Sequence, residues 1–405
     1  MTSALKATLA NPSIRVSALA IFFFGTTGAA TSPYQSLIGI QELGLSNSGY
    51  ATLMFAAAVI NVTASVLMGI LADRMGDYRT SIIYVSLVGV AGYALIYLAA
   101  NVPAFVVAKL LLLPVFGALN SLIFANVRAS SGKLSAAQLV SVNSTIRATI
   151  SLSWVLMPGI VGVMLAGASS MLPAYLIATV AALVCFVLGA FFLPVAPKLE
   201  IEGGAQRARF LASLGEVIEP RVALRVTAIA LICSMLHISD AVRPLIVTGK
   251  AKGTVADLGI IVGIVAALEI VFILFWGKAE RWLTPVRALA IGAGLYAIYL
   301  ILQGLATERW HVYAQTLISG FAAAAIISLP ITYLQDLIAD RPGLGSSLIA
   351  VNIFLSAGLS AGIFALGTRI GDYSFASILG AVVGCLGIIL LLVLETGKRT
   401  PHGRR

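Results

Sequence analysis

The stretch Gly69-Ile-Leu-Ala-Asp73-Arg74-Met-Gly76-Asp77-Tyr-Arg79 places four charges within seven residues, between apolar runs at 51–72 and 80–99. About 20 apolar residues are needed to carry a helix across the hydrocarbon core of a bilayer. The two runs therefore read as membrane spans, and the charged stretch as the turn between them. Further runs of the same kind fall at 14–38, 102–126, 138–165 and 172–193 on the N-terminal side of the chain. Those at 222–245, 255–277, 285–304, 310–334, 344–368 and 374–394 follow a polar connection from Pro194 to about Arg221. Asn101 with Pro103 divides the third run from the fourth. The runs are long and continuous, unlike the alternating ten-residue segments of a membrane β-barrel. The expected fold is an all-α membrane protein of twelve transmembrane helices in two six-helix halves. The halves are 1–197 and 222–405, the latter including a C-terminal tail, joined by a linker at 198–221.

Composition agrees. The 405 residues are 60 % hydrophobic and 10 % charged, against roughly 25 % charged in an average soluble domain, so most of the surface must face lipid. The net charge of +10 does not mark a nucleic-acid binder, because the basic residues sit in short clusters between apolar runs. Cys185, Cys233 and Cys385 lie inside apolar runs without metal-ligand spacing and read as small hydrophobes. The run after Arg15 is too long for a cleavable signal peptide. No cofactor or metal is expected. Metalloprotease, nucleophile-elbow and Walker motifs are missing from the sequence, so neither an enzyme nor an ATP-driven pump is expected.

Basic residues set the orientation. With the N-terminus cytoplasmic, nineteen Lys and Arg residues fall on that side, among them Arg74, Arg79, Arg128, Lys278 and Arg341. The opposite side receives Arg243, Lys250, Lys252, Arg309 and Arg369, leaving Lys109 and Arg147 inside the bilayer. Both termini are then expected inside the cell. The turn that opens this subsection also has a counterpart. The eighth run ends in Gly277-Lys-Ala-Glu280-Arg281-Trp-Leu-Thr-Pro-Val-Arg287, where Gly277 and Arg287 repeat the spacing of Gly69 and Arg79. Internal repeats in transporters place the binding site between the halves and move it by alternating access.

The Gly69–Arg79 stretch resembles the signature loop of the major facilitator superfamily, Gly-x-Leu-Ala-Asp-Arg-x-Gly followed by basic residues. The resemblance implies that Asp73, Arg74 and Arg79 form a conformational latch at the cytoplasmic ends, acting against the eleventh helix. Asp77 departs from the pattern, standing where a basic residue is common. Narrower similarity is to the bacterial sugar efflux transporters of that superfamily. It rests on Ile146-Arg147-Ala-Thr-Ile-Ser-Leu-Ser-Trp154-Val-Leu-Met-Pro158, Ile238-Ser-Asp240, Ala267-Leu-Glu269-Ile and Gln335-Asp336-Leu-Ile-Ala-Asp-Arg341-Pro-Gly343. It implies export of a sugar or sugar-like solute against proton entry, from the inner membrane of a bacterium.

The intramembrane polar residues supply the candidate site. Isolated charges at mid-bilayer cost about 3 kcal/mol or more and normally face protein or a water-filled cavity. Arg147 shares a helical face with Ser151, Trp154 and Pro158, a polar and aromatic stripe suited to hydroxyl-rich rings. A structural arginine with Pro158, Gly159 and Gly162 as a packing element is the competing reading. Asn120, Gln35, Gln315 and Asn352 are further candidates to line a substrate path, although such residues also glue helices together. Glu269 is the candidate proton-coupling acid: Ala266, Val265, Phe272 and Ile273 offer it no partner within a helical turn, so a distant cation such as Arg147 or Lys109 is the alternative. Asp240, three residues before Arg243, is second in line, and Lys109 is close enough to a helix end to snorkel. A proton-coupled multidrug exporter, or an importer of a small polar solute, would use similar parts. A monomer among membrane lipids is expected, since the two halves complete an interface.

Overall fold

In the computed structural model, residues 11–75, 77–131, 134–194, 219–279, 281–337 and 345–396 are described. They contain twelve helices long and apolar enough to cross a membrane. These are α1 (Pro12–Tyr34), α2 (Asn47–Ser65), α3 (Tyr78–Ala99), α4 (Val102–Ser130), α5 (Gln138–Met164) and α6 (Pro173–Phe192). The later six are α7 (Pro220–Thr248), α8 (Val255–Ala279), α9 (Pro285–Leu305), α10 (Thr316–Asp336), α11 (Leu348–Ile370) and α12 (Tyr373–Glu395). No strand occurs among the described residues. The expected all-α, twelve-span architecture is thus present. Residues 198–218 of the linker, where a short surface helix over Phe210–Ile218 is expected from the sequence, and the tail beyond 396 lie outside the described residues.

Local chemistry sets the helix ends. Asn11 caps α1, its side-chain oxygen accepting from the amides of Ser13 at 3.0 Å and Ile14 at 3.4 Å. Asn101 caps α4 through the Ala104 amide at 2.9 Å, and Ala100 before it takes the left-handed conformation that closes α3. Ser135 and Gln138 make a reciprocal capping box before α5. Asp77 caps α3, accepting from the amides of Arg79 at 3.0 Å and Thr80 at 3.3 Å, and from the Thr80 hydroxyl at 2.5 Å. Partial burial pushes the Asp77 pKa up. The bonds from Thr80 and Arg79, with the Arg79 charge, outweigh it and hold the carboxyl below its ordinary value.

The described residues divide into two compact units. One takes residues up to 207 together with 253–266; the other takes 208–252 and 267 onward. Within the first, α1 packs on α5 and α6, and α3 on α6. Within the second, α7 packs on α11 and α12, and α9 on α12, the same pairings displaced by six spans. Small residues allow the close crossings: a Cβ on Gly25 of α1 would strike the Ser153 hydroxyl of α5. Outward-facing side chains are apolar, Leu98 and Phe191 being 78 % and 74 % exposed, as lipid contact requires.

Three spans depart from regular geometry. After Tyr34 the chain leaves α1 through a π-helical turn at Leu37–Glu42. α4 contains a π-helical turn at Ala108–Leu112 and a break at Ala118. α6 ends in a π-helical turn at Leu188–Phe192. In the second unit the run expected from 310 is divided: a short helix at Arg309–Ala314 stops at Gln315 and α10 begins at Thr316.

Candidate functional site

Polar side chains gather inside the spans of each unit. In the second, α7 continues through Pro244 to Thr248. Arg243, expected on the outer surface from the charge bias, therefore lies within the span and is buried, with 7 % of its surface exposed. Its partners come from α7 itself and from the neighbouring α9. Nε donates to the Tyr299 hydroxyl at 3.1 Å, Nη2 to the Ser239 hydroxyl at 3.0 Å, and Nη1 stands 3.5 Å from the Asp240 carboxylate. Ser239 donates in turn to Gln303 Oε1 at 3.1 Å. An arginine can be held in an apolar interior when its fixed fork of donors is satisfied in this way. Asp240 is the exposed end of the network, its side chain 70 % accessible.

Glu269, half-buried on α8, belongs to the same unit. Lys109 is bound elsewhere: its ammonium donates to Gln35 Oε1. Arg147 is exposed, with its guanidinium carbon 5.4 Å from the centroid of the Phe124 ring. Trp154, half-buried on the same helix, lies against α1 at Gly28. The Ser151 hydroxyl turns back to the Arg147 carbonyl at 3.4 Å. The aromatic surface beneath the guanidinium is thus Phe124 of α4, a residue that helical periodicity along α5 cannot reveal.

The carboxamides divide into two kinds. Gln315 is tied at the α10 break, donating to the Leu302 carbonyl at 3.1 Å, while its oxygen stays buried without a partner. Asn352 donates to the Cys233 sulfur at 3.6 Å and its oxygen is likewise unpartnered. It lines a cavity of about 160 Å³ with His237, Ser356 and the apolar side chains of α7, α10 and α11. Asn120 follows the break in α4 and has a buried oxygen with no hydrogen-bond partner. Gln35, Lys109, Tyr50 and Asn61 share a second cavity, of about 180 Å³, inside the first unit.

Of the residues in the signature loop, Arg79 is placed within the first unit. It donates to the Ala190 carbonyl at 2.6 Å and the Gly189 carbonyl at 3.2 Å. Both carbonyls belong to the π-helical end of α6, where intrahelical bonding runs out. The side chains of Asp73 and Arg74 lie outside the described residues.

One motif went unread in the sequence. Gly259-Ile-Ile-Val-Gly263 on α8 has the G-x-x-x-G spacing of close-packed membrane helices. A Cβ on Gly263 would come within 2.8 Å of the Val155 carbonyl, and one on Gly259 would strike the Pro158 carbonyl. That carbonyl already accepts from the Tyr34 hydroxyl at 2.7 Å. The glycines explain why residues 253–266 pack with the first unit.

The sequence model described as Major Facilitator Superfamily matches residues 17–361. The chain belongs to the major facilitator superfamily. It is a membrane transporter of that type. Among its relatives are a putative sugar efflux transporter of Deinococcus radiodurans, 25 % identical over 80 % of this chain and 82 % of that protein. Sugar efflux transporter A of Dickeya chrysanthemi is 27 % identical over 81 % of each chain. The nucleoside transporter NupG matches this superfamily fold with a TM-score of 0.76, at 14 % identity, over 96 % of this chain and 100 % of that one. The peptide transporter POT in complex with sulfate also scores 0.76, at 14 % identity, over 95 % and 94 %. These two likenesses concern the fold.

Proposed function

We propose that this protein is a secondary active transporter that exports a sugar or sugar-like solute in exchange for protons, by alternating access. The observation that carries the reading is the charge cluster of the second unit. Arg243 is held by hydroxyls inside α7 and α9 with the Asp240 carboxylate 3.5 Å away, and Glu269 belongs to the same unit. The relatives named sugar efflux transporters supply the substrate class. A carboxyl within an apolar span is costly when ionised, and taking up a proton removes that cost. Glu269 and Asp240 are accordingly the proton-coupling residues in this reading, with Arg243 the cation that sets when a proton is held. The substrate-facing groups are Arg147 and Trp154 with Asn120, Gln35, Gln315 and Asn352, of which Asn120, Gln315 and Asn352 keep an oxygen free to accept a hydroxyl. The basic-residue bias supports an inner-membrane location with both termini cytoplasmic, and Asp73, Arg74 and Arg79 as a latch on that side.

The test is purified protein in liposomes, loaded with labelled hexoses and disaccharides and given a pH gradient. Sugar flux and proton movement are read together. Sugar driven uphill by the gradient, with protons moving the other way, is the expected result. Flux of a cationic dye with no sugar flux would replace the reading with drug export.

A further inference from the structure

One cavity of the first unit holds a cation that no carboxylate pairs with among the described residues. Lys109 sits in the π-helical turn Ala108–Leu112 of α4, about 11 Å along the span from Val102 at 1.5 Å per residue. A π turn widens the helix by one residue and is frequent at functional sites. Here it brings the Lys109 ammonium to a cavity of about 180 Å³ that Gln35, Tyr50 and Asn61 also line. Gln35 stands in its own irregular segment, between the 3₁₀ turn Ser32–Tyr34 and the π turn Leu37–Glu42. Two distortions of separate helices therefore meet at one hydrogen bond, from Lys109 to Gln35.

A carboxamide satisfies one N–H of an ammonium but does not neutralise its charge. Two arginines of the second unit differ in this respect, whereas Arg147, exposed on α5, lies over the Phe124 ring. Arg225 is paired with Glu395 at 2.7 Å, and Arg243 stands by Asp240 at 3.5 Å. Among the described residues no carboxylate pairs with Lys109. A partly buried charge in this setting calls for an anion, and the cavity leaves room for one to arrive from outside the protein.

We infer that this cavity binds a carboxylate-bearing, monosaccharide-sized solute, a sugar acid, with the carboxylate on Lys109 and hydroxyls on Gln35 and Asn61. One ammonium matches one carboxylate, whereas a phosphate dianion would bring a second charge that nothing here offsets. The flanking Leu53, Met54, Ala57 and Leu113 give the apolar walls that a ring's C–H faces need. The inference rests on the proposed sugar-export reading for its ligand class, and it narrows that class to acidic members.

Binding and transport are measured separately. Purified protein is titrated calorimetrically with a hexuronate and with its parent hexose, and the same pair is followed in liposome counterflow. The wild type should bind the hexuronate at least tenfold more tightly than the hexose. Lys109→Met should abolish that preference, lowering hexuronate affinity tenfold or more while changing hexose affinity less than twofold. Lys109→Arg, which keeps the charge, should retain most of the preference and so separate charge from folding. Equal affinity for both sugars in the wild type, or undiminished hexuronate binding in a well-folded Lys109→Met protein, overturns the inference and leaves hexose export standing. Charge-dependent hexuronate binding without flux of either sugar upholds the site and overturns the export reading. Failure of the wild type to bind the hexuronate at all overturns the site.

Discussion

The Tyr299 hydroxyl accepts a 3.1 Å hydrogen bond from Arg243 Nε, joining α9 to a guanidinium buried within α7. Tyr299→Phe removes that acceptor and leaves a buried donor unsatisfied, at a cost of about 1–3 kcal/mol. Thermal unfolding of the detergent-solubilised variant should begin several degrees below the wild type. An unchanged midpoint would mean that Ser239 and Asp240 satisfy the guanidinium without help.

Glu269→Gln imitates the protonated carboxyl permanently. Uphill, pH-driven sugar movement should vanish while exchange down a sugar gradient survives. Asp240→Asn should be milder, because the Arg243 guanidinium keeps Tyr299 and Ser239 as partners. Full accumulation in Glu269→Gln liposomes would move the coupling role to Asp240.

Asp77→Ala strips the cap from α3 and should destabilise the protein by about 1 kcal/mol. The folded pKa of Asp77 lies below its ordinary value of 3.8. Its contribution is then complete above that value and fades as pH falls through the lower, folded one. The stability gap between wild type and variant should be constant near neutral pH and close below about pH 3.8. A gap that widens on acidification would contradict the cap.

Gly259→Val places a branched side chain against the Pro158 carbonyl and the Tyr34 hydroxyl, the latter 2.5 Å from where a Cβ would stand. Overpacking of this kind costs about 1–3 kcal/mol. Loss of transport with lowered thermal stability is expected, and Gly277→Val, with open space around its Cβ position, serves as the tolerant control. Equal behaviour of the two variants would argue against a close α5–α8 crossing.

Orientation is tested by single cysteines in a protein whose Cys185, Cys233 and Cys385 are replaced. Positions near Lys250 and Thr307 should react with an impermeant reagent added outside the cell, and one near Gln206 should stay protected. External labelling at Gln206 would invert the assignment.

The spans were legible in the sequence because apolar length is a one-dimensional signal, and the expected runs coincide with the helices to within a few residues. Spans two and ten differ more: the run 51–72 compares with a span at Asn47–Ser65, and the run expected from 310 breaks at Gln315, with α10 starting at Thr316. Arg243 was misplaced for a physical reason. The charge bias assigns an arginine near a helix end to the aqueous side, and the Tyr299 hydroxyl that helps to hold it inside stands on α9, 56 residues away in sequence. The Asp240–Arg243 pair, three residues apart on one helix, was readable; the Tyr299 hydroxyl that also holds Arg243 was not. Phe124 beneath Arg147 was hidden likewise. The Gly259–Gly263 spacing was open to view and needed no structure.

The π-helical turns at Leu37–Glu42, Ala108–Leu112 and Leu188–Phe192 all lie in the first unit. The Ala108–Leu112 turn, inside α4, behaves as a one-residue insertion and turns every later side chain on that helix by about 100° relative to an uninterrupted α-helix; the other two lie at helix ends. The two halves can then share their helix pairings while presenting different faces inward. Their divergence is one of phase as well as of residue identity, and along α4 a fixed numerical offset between repeats stops pairing equivalent positions beyond that turn. Deleting a single residue from the Ala108–Leu112 turn would swing Lys109 or its successors away from Gln35, a larger change in chemistry than most substitutions at either residue. Length variation within a span, which an ungapped comparison of the halves discards as noise, is here a means of choosing which side chains line a cavity.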